Sequence, residues 1–138
     1  MEEKLNELTA QRPDGKRAIN AALVTIDLSS YMSQIKEETS WKDGKRNAIT
    51  VFKTNGLRMV LIALHEGSEM ARHTADCNIS IQLPEGKIQF HTDQQSVELD
   101  KGRMLALREQ IPRCVTTLQE TIFLLTLTNA LKTKPAHL

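Results

Sequence analysis

The chain has 138 residues, 40% of them hydrophobic and 25% charged, which suits one globular domain and leaves little room for a second. Its 18 basic and 17 acidic residues give a net charge of +1, and so weak a field favours neither nucleic acid nor a membrane surface as a partner. No apolar run approaches the roughly 20 residues that cross a bilayer. Residues 1–20 are polar and charged where a signal peptide is apolar, so we expect a cytoplasmic protein.

The first part of the chain shows no clear period. Residues 1–20 are interpreted as an N-terminal arm, and both a short helix and a frayed segment are compatible with their sequence. Residues 21–27 form a short apolar stretch in which Val24 and Ile26 are β-branched. This stretch predicts a first strand.

A short helix is predicted directly after that strand, over residues 28–39. Asp27 supplies a side chain that can cap the first turn, and Asp43-Gly44 supplies a turn beyond the last. Residues 21–45 are therefore expected to lead, as a strand and a helix, into the main domain.

Residues 46–130 have the pattern of an all-β barrel. Short β-prone segments alternate with period two, as in Ile79, Ile81 and Leu83. Residues 59–64 and 122–125 are apolar on both faces, which is typical of strands that are covered on both sides. Periodicity alone also allows a helix in these two runs, and the turn signals around them favour strands. Turn signals separate the segments: Asn55-Gly56, Glu66-Gly67, Pro84-Glu85-Gly86, Thr92-Asp93 and Asp100-Lys101-Gly102. Residues 131–138 are interpreted as a C-terminal tail.

The two cysteines, Cys77 and Cys114, are too few for a disulfide framework and lack the spacing of metal ligands. We expect buried or half-buried free thiols, with a redox pair as the alternative.

The spacing of glycines in the β region resembles the cupin superfamily. Gly67 is followed by five residues and His73, where that family begins its first histidine motif, and Gly86 stands at the closing glycine. Gly102 opens a segment similar to the second motif, which ends here at Arg113. The resemblance implies a small jelly-roll barrel, and the short helix predicted over residues 28–39 would precede it.

Three of the four ligand positions in the resembling motifs carry side chains that cannot bind a metal. His73 is retained, whereas Ala75, Ile79 and Arg113 stand where the family has a second histidine, a glutamate and a third histidine. One imidazole cannot hold a first-row metal, which needs three or more protein ligands. A guanidinium about 5 Å from a divalent ion would oppose binding by roughly 6–7 kcal/mol at an effective dielectric near 20. We therefore expect no metal and no other cofactor here.

The second motif departs from the family pattern at two further positions. Arg108 and Gln110 replace the usual proline and glycine of the loop before Arg113.

The same four residues suggest a ligand pocket. The family pattern directs His73, Ala75, Ile79 and Arg113 into the barrel, and an apolar site with a guanidinium suits a small organic anion. The alternative is an interior filled by side chains, with Arg113 turned to solvent or paired with an acid such as Glu109 or Glu120. Arg46, Arg58 and Arg72 are interpreted as solvated charges at strand or loop edges.

The sequence thus favours a metal-free, non-enzymatic binding or interaction module. The resemblance also implies a homodimer, in which residues 21–27 would cover a sheet edge. The alternative is a metal-independent isomerase or lyase acting on a small anionic metabolite, with His73 as the general base.

Overall fold

A computed structural model of the chain describes residues 19–72 and 76–128, the side chain of Arg72 excepted. Two short helices and nine strands make up this part of the chain. The helices are α1 (Leu28–Glu37) and α2 (Thr39–Asp43). The strands are β1 (Arg46–Lys53), β2 (Leu57–Leu64), β3 (Glu69–Arg72), β4 (Asn78–Glu85), β5 (Lys87–Thr92), β6 (Ser96–Asp100), β7 (Met104–Leu107), β8 (Arg113–Thr117) and β9 (Thr121–Thr128).

The strands form two antiparallel sheets that face each other. The first sheet has the order β1-β2-β9-β4-β7, and the second has the order β3-β8-β5-β6. All pairings are antiparallel, and successive strands repeatedly cross from one sheet to the other. The all-β prediction is confirmed for the described residues of the range 46–130. Each predicted turn signal falls where one strand gives way to the next, although Pro84, Glu85, Thr92 and Asp100 still belong to the ends of strands.

The interior between the sheets holds the first of two cores. It collects the inward side chains of the alternating strands, including the predicted set Ile79, Ile81 and Leu83 on β4. Ile88 and Phe90 of β5 complete it from the second sheet. Period-two alternation in the sequence therefore identified the faces of these strands correctly.

The outer face of the first sheet holds the second core, because α1 and α2 pack on it. Ile35 and Trp41 of the helices meet Ile49, Leu61 and Ile122 of the sheet. This arrangement explains why β2 and β9 are apolar on both faces: one face meets the barrel interior and the other meets the helices. The expectation of strands covered on both sides is confirmed.

Helix α1 begins where the capping residue predicts. The Asp27 Oδ1 atom accepts a hydrogen bond from the backbone N–H of Ser30 at 3.2 Å. At the other end, Asn47 donates from Nδ2 to the carbonyl of Ile35 and to Glu38 Oε1, which ties the helix end to β1.

The strand predicted over residues 21–27 is not formed, because this segment joins neither sheet. Ile26 instead packs against the helix-covered core, whereas Leu23 is 81% exposed. Alternating β-branched residues favour an extended backbone, but a strand also needs a partner ladder. The predicted arm and tail lie outside the described residues, apart from residues 19 and 20.

The three glycines of the family resemblance all occupy turns with a left-handed backbone. Their φ angles are +80° at Gly67, +107° at Gly86 and +91° at Gly102. A Cβ atom at Gly86 would lie 2.3 Å from Thr121 Oγ1 and 2.6 Å from the carbonyl oxygen of Glu120. Gly86 is therefore required by contact as well as by conformation.

Candidate ligand cavity

A cavity of about 500 Å³ lies between the two sheets on the side of β1, β2 and β3. Its walls come from the inner faces of both sheets, from the β1–β2 hairpin and from the edge at α2. The described residues that line it are Ser40, Arg46, Asn47, Ala48, Thr54, Asn55, Gly56, Leu57, Arg58, Val60, Ile62, Met70, Cys77, Arg113, Leu125 and Leu127.

The inner wall of the cavity on the first sheet is apolar. Val60 and Ile62 of β2 alternate inward, and the Cα atom of Val60 pairs with that of Leu125 on β9. Ala48 of β1 pairs with Ile62 and extends this surface toward the sheet edge. Met70 of β3 covers it from the opposite sheet.

Two arginines from different sheets lie at one end of the cavity. Arg58 of β2 is adjacent to Leu57. Leu57 pairs with Thr128 of β9, and Thr128 pairs in turn with Asn78 of β4. The backbone N–H of Glu109, in the loop before Arg113, donates to the side chain of Asn78 at 3.2 Å. The start of β8, with Arg113, therefore lies at the same end as Arg58.

Arg46 lines the cavity at the opposite end of the ladder. It pairs with Leu64, six residues along β2 from Arg58, which corresponds to roughly 20 Å at the rise of a strand. The hydroxyl of Thr117, at the far end of β8 from Arg113, donates to the carbonyl of His65 at this same end. The side chain of Arg46 is exposed, whereas Arg58 and Arg113 are half-buried.

The charge lining the cavity has one sign. Three guanidinium groups reach it, and no aspartate or glutamate is among the described residues that line it. Arginine stays protonated across the physiological range. The Nη1 atom of Arg113 is also screened from solvent. The described lining residues therefore place guanidinium groups beside an apolar wall.

The four residues predicted to line a pocket do not all lie in one described site. Arg113 lines the cavity, as predicted. Ile79 is 4% exposed in the barrel interior but is not part of the cavity wall. His73 and Ala75 lie outside the described residues, so their part in the site, including His73 as a general base, stays a prediction. The barrel interior is filled around β4 and β5 and hollow beside β1 and β2.

Arg46 and Arg58 are the charged cavity residues that sequence reasoning missed. Both were interpreted as solvated charges, and the exposure of Arg46 agrees with that interpretation. The missed signal was their parity: Arg46 precedes inward-facing Ala48 by two residues, and Arg58 precedes Val60 by two. Because β2 is apolar on both faces, hydropathy alone did not reveal which face of the strand points inward.

The described residues of the cavity and of the resembling motif positions do not fit a transition metal. Ile79 and Arg113, which stand at two ligand positions of the resembling motifs, offer an alkyl group and a cation instead of a lone pair. Cys77 is the one thiol in the described wall, and no histidine or carboxylate accompanies it there. No group of three metal-ligating side chains occurs within residues 19–72 and 76–128.

The thiols lie where the sequence predicted, with Cys77 buried and Cys114 half-buried. Cys114 is on the outer face of the second sheet, where its Sγ atom donates to Glu69 Oε2 at 3.4 Å. Burial raises the pKa of the Cys114 thiol, and the Glu69 carboxylate adds to this effect. The thiol thus stays protonated at neutral pH and is a poor nucleophile.

Neither helix in the described part of the chain is long and apolar enough to span a membrane. The strand order and the facing antiparallel sheets define a small jelly-roll barrel.

Comparison with solved structures identifies the type of jelly roll. A conserved protein of unknown function from Streptococcus pyogenes superposes with a TM-score of 0.61 and 16% identity, over 82% of this chain and 92% of that one. A cupin superfamily protein from Desulfitobacterium hafniense gives a TM-score of 0.60 and 9% identity, over 62% and 78% of the two chains.

The cupin domain of Schizosaccharomyces pombe Cnp3 gives a TM-score of 0.58 and 13% identity, over 65% of this chain and 69% of that one. No family model matches the sequence, and no curated protein matches it. At these identities the likeness concerns the fold alone. The chain has the cupin fold, and the predicted resemblance is confirmed at that level.

Proposed function

We propose that this chain is a binding module that holds a small organic anion in the cavity between its two sheets. The observation that carries the proposal is the composition of the cavity wall. Apolar side chains form one surface, Arg58 and Arg113 both line the cavity, and no carboxylate is among the described lining residues.

The physical argument concerns desolvation. A carboxylate or phosphate loses hydration when it enters an apolar cavity, and only a matching charge with hydrogen-bond donors offsets that loss. The planar guanidinium of Arg113 offers two parallel N–H donors to such a group. Screening of Nη1 from water strengthens the attraction, because the local dielectric is lower than that of water.

The test is a thermal-shift screen of small organic acids, followed by calorimetry of those that bind. A ligand at a hundred times its Kd stabilises the native state by about 2.7 kcal/mol. Replacing Arg113→Gln removes the charged donors and is expected to weaken binding by roughly ten- to a hundredfold. Arg103→Gln is the matched control, because Arg103 is exposed and does not line the cavity.

Two results would overturn the proposal. One is the absence of any stabilising organic acid in the screen. The other is unchanged affinity in the Arg113→Gln variant, which would place the bound anion elsewhere on the surface.

We also propose that the protein is a homodimer. The support is Leu23, whose apolar side chain is 81% exposed in the segment expected to cover a partner's sheet edge. Sedimentation of the parent protein should give a dimer, and Leu23→Glu should shift it toward the monomer. A monomeric parent at micromolar concentration would contradict this.

A further inference from the structure

We infer that residues 1–18 of the N-terminal arm fold back on their own chain and cover the side of the cavity between β1 and β3. This inference goes beyond the proposed function, because it concerns access to the cavity and requires no bound ligand. It follows from where the described chain begins, from which apolar residues of the interior are half-exposed, and from the side chains that residues 1–18 carry.

The described chain begins at the outer edge of β1. Across the β1–β2 hairpin, the backbone N–H of Thr54 donates to the carbonyl of Leu57 at 2.8 Å. Successive N–H groups of a strand point to opposite sides. The N–H of Lys53 therefore points away from β2, and it donates to the carbonyl of Ile19 at 3.0 Å. Residues 1–18 thus leave the described part of the chain beside the strand that borders the cavity.

The described residues cover the barrel interior unevenly. Strands β1 and β3 are end strands of the two sheets, and no ladder joins them among the described strands. On this side the interior residues Met70, Leu125 and Leu127 line the cavity and are half-exposed. At the filled end of the interior, Ile88 and Phe90 are buried. The β1–β3 side is therefore where a further segment would remove apolar surface from water.

The polar lining residues sort into an engaged set and a rim. Asn47 donates twice from Nδ2, and its Oδ1 atom accepts the N–H of Ala48. Thr54 Oγ1 accepts two N–H groups of its own hairpin, and Ser40 also has an interaction within the chain. The exposed polar residues of the lining are Arg46, Thr54 and Asn55. A cover thus needs apolar groups toward the interior and polar or acidic groups at the rim.

Residues 1–18 carry side chains of both kinds. Leu5 and Leu8 are three positions apart, which is the spacing of side chains that share one face of a helix. Glu3 and Glu7 lie in the same stretch. A carboxylate beside exposed Arg46 would supply the acidic group that the described lining lacks.

The connection to the barrel is long enough for this contact and short enough to favour it. Eleven positions separate Leu8 from Ile19, and their extended reach of roughly 36–40 Å exceeds the roughly 27 Å length of β1. Pro13-Asp14-Gly15 is a turn sequence at which the chain can reverse. So short a connection gives an effective concentration of about millimolar, which favours the arm of the same chain over that of a second copy.

The experiment compares the full-length protein with its Leu5→Ser/Leu8→Ser variant. Amides of residues 3–9 are expected to exchange hydrogen roughly tenfold or more faster in the variant, because the contacts that protect them are lost. In methyl NMR, the signals of Met70, Leu125 and Leu127 should shift between the two proteins. Unshifted signals of Ile35 and Ile49 would show that the fold is intact. Asn6→Ser is the matched control within the same stretch, and it should alter neither the exchange rates nor the methyl signals.

Three results would overturn the inference. One is an unchanged set of cavity methyl signals in the double variant, and another is equally fast exchange of residues 3–9 in both proteins. The third is a parent spectrum that moves toward that of the variant on dilution, which would assign the cover to the arm of a second copy. None of these results bears on anion binding, which is tested separately through Arg113.

Discussion

The two faces of the first sheet differ in how completely they are filled. On the outer face, Ile35, Ile49 and Leu61 are fully buried between the helices and the sheet. On the inner face, Val60 and Ile62 of the same strand border a cavity of about 500 Å³. Strand β2 therefore contributes odd-numbered residues to the close-packed outer core. Its even-numbered residues line the cavity, which has arginines at its ends.

This difference indicates that the two faces of one sheet have different roles, since the outer face is packed under the helices and the inner face borders a cavity. Close packing gains dispersion energy and removes apolar surface from water, so the helix-covered face is where stability is concentrated. A cavity forgoes part of that stabilisation. The inner face near β1 and β2 is thus the part of the barrel where binding a ligand would contribute most.

The largest expected effect on the free energy of unfolding comes from removing a side chain from the helix-covered face. Ile35→Ala removes a side chain with no exposed surface and should lower the free energy of unfolding by about 2–5 kcal/mol. Leu127→Ala, at a half-buried cavity position, should cost less than about 2 kcal/mol. Urea unfolding measures both, and equal losses would contradict the contrast between the faces.

The next effect concerns two turns with similar backbones. Gly86→Ala places a methyl group against Thr121 and the backbone of Glu120, and should cost roughly 2–4 kcal/mol from strain and overlap together. Gly102→Ala meets no atom within 4 Å and should cost only the backbone term, about 1–2 kcal/mol. Thermal unfolding of the two variants gives the order, and a reversed order would show that Gly86 is not held by contact.

A smaller effect concerns the ion pairs that hold α1 to the sheet. Lys36 Nζ lies 2.5 Å from Glu85 Oε2 and 2.7 Å from Glu120 Oε2. Burial lowers the pKa of Lys36, but Glu120 and Glu85 outweigh burial and raise the pKa above its usual 10.5. Because the pKa is higher in the folded state, this stabilisation is complete well below pH 10.5 and is lost as the pH rises through the folded value.

Lys36→Met should therefore cost up to about 1 kcal/mol at neutral pH, and its difference from the parent should shrink above pH 10.5. Urea unfolding over a series of pH values measures this difference. Lys42→Met is the control, since Lys42 is exposed on α2. A difference for Lys36→Met that does not change with pH would assign the loss to packing of the lysine stem instead.

An effect of similar size concerns Gln110, which has a φ of +69°. This residue keeps the left-handed backbone at the position where the resembling motif has glycine, and its Nε2 atom donates to Asp76 Oδ1. Gln110→Gly and Gln110→Ala lose the same hydrogen bond, but only glycine relieves the backbone strain. Gln110→Gly should be the more stable of the two by about 1 kcal/mol in thermal unfolding, and equal stability would show that the turn is unstrained.

Much of the fold could be predicted because the side-chain period of a strand is short. Ile79, Ile81 and Leu83 identify a face without knowledge of any partner, and Gly67, Gly86 and Gly102 mark turns that need a positive φ. The same reasoning gave a wrong prediction for the segment with Val24 and Ile26, because a strand forms only where a neighbouring strand offers hydrogen-bond partners.

The site was predictable only in part. Arg113 could be placed because the resembling motif fixes its distance from Gly102. Arg58 and Arg113 line the same cavity only because two sheets close on each other, which brings residues 55 positions apart in the sequence to one space. Local periodicity carries no information about such closure, nor about how much of the interior stays empty.

The most direct test of the division between the two faces is methyl NMR of the protein during titration with an organic acid that stabilises it in the thermal-shift screen. We expect chemical-shift changes at Val60, Ile62 and Leu125 on the cavity wall, and none at Ile35, Ile49 or Leu61 under the helices. Shifts confined to the helix-covered methyl groups, or absent from both sets, would contradict the assignment of the ligand to the barrel interior.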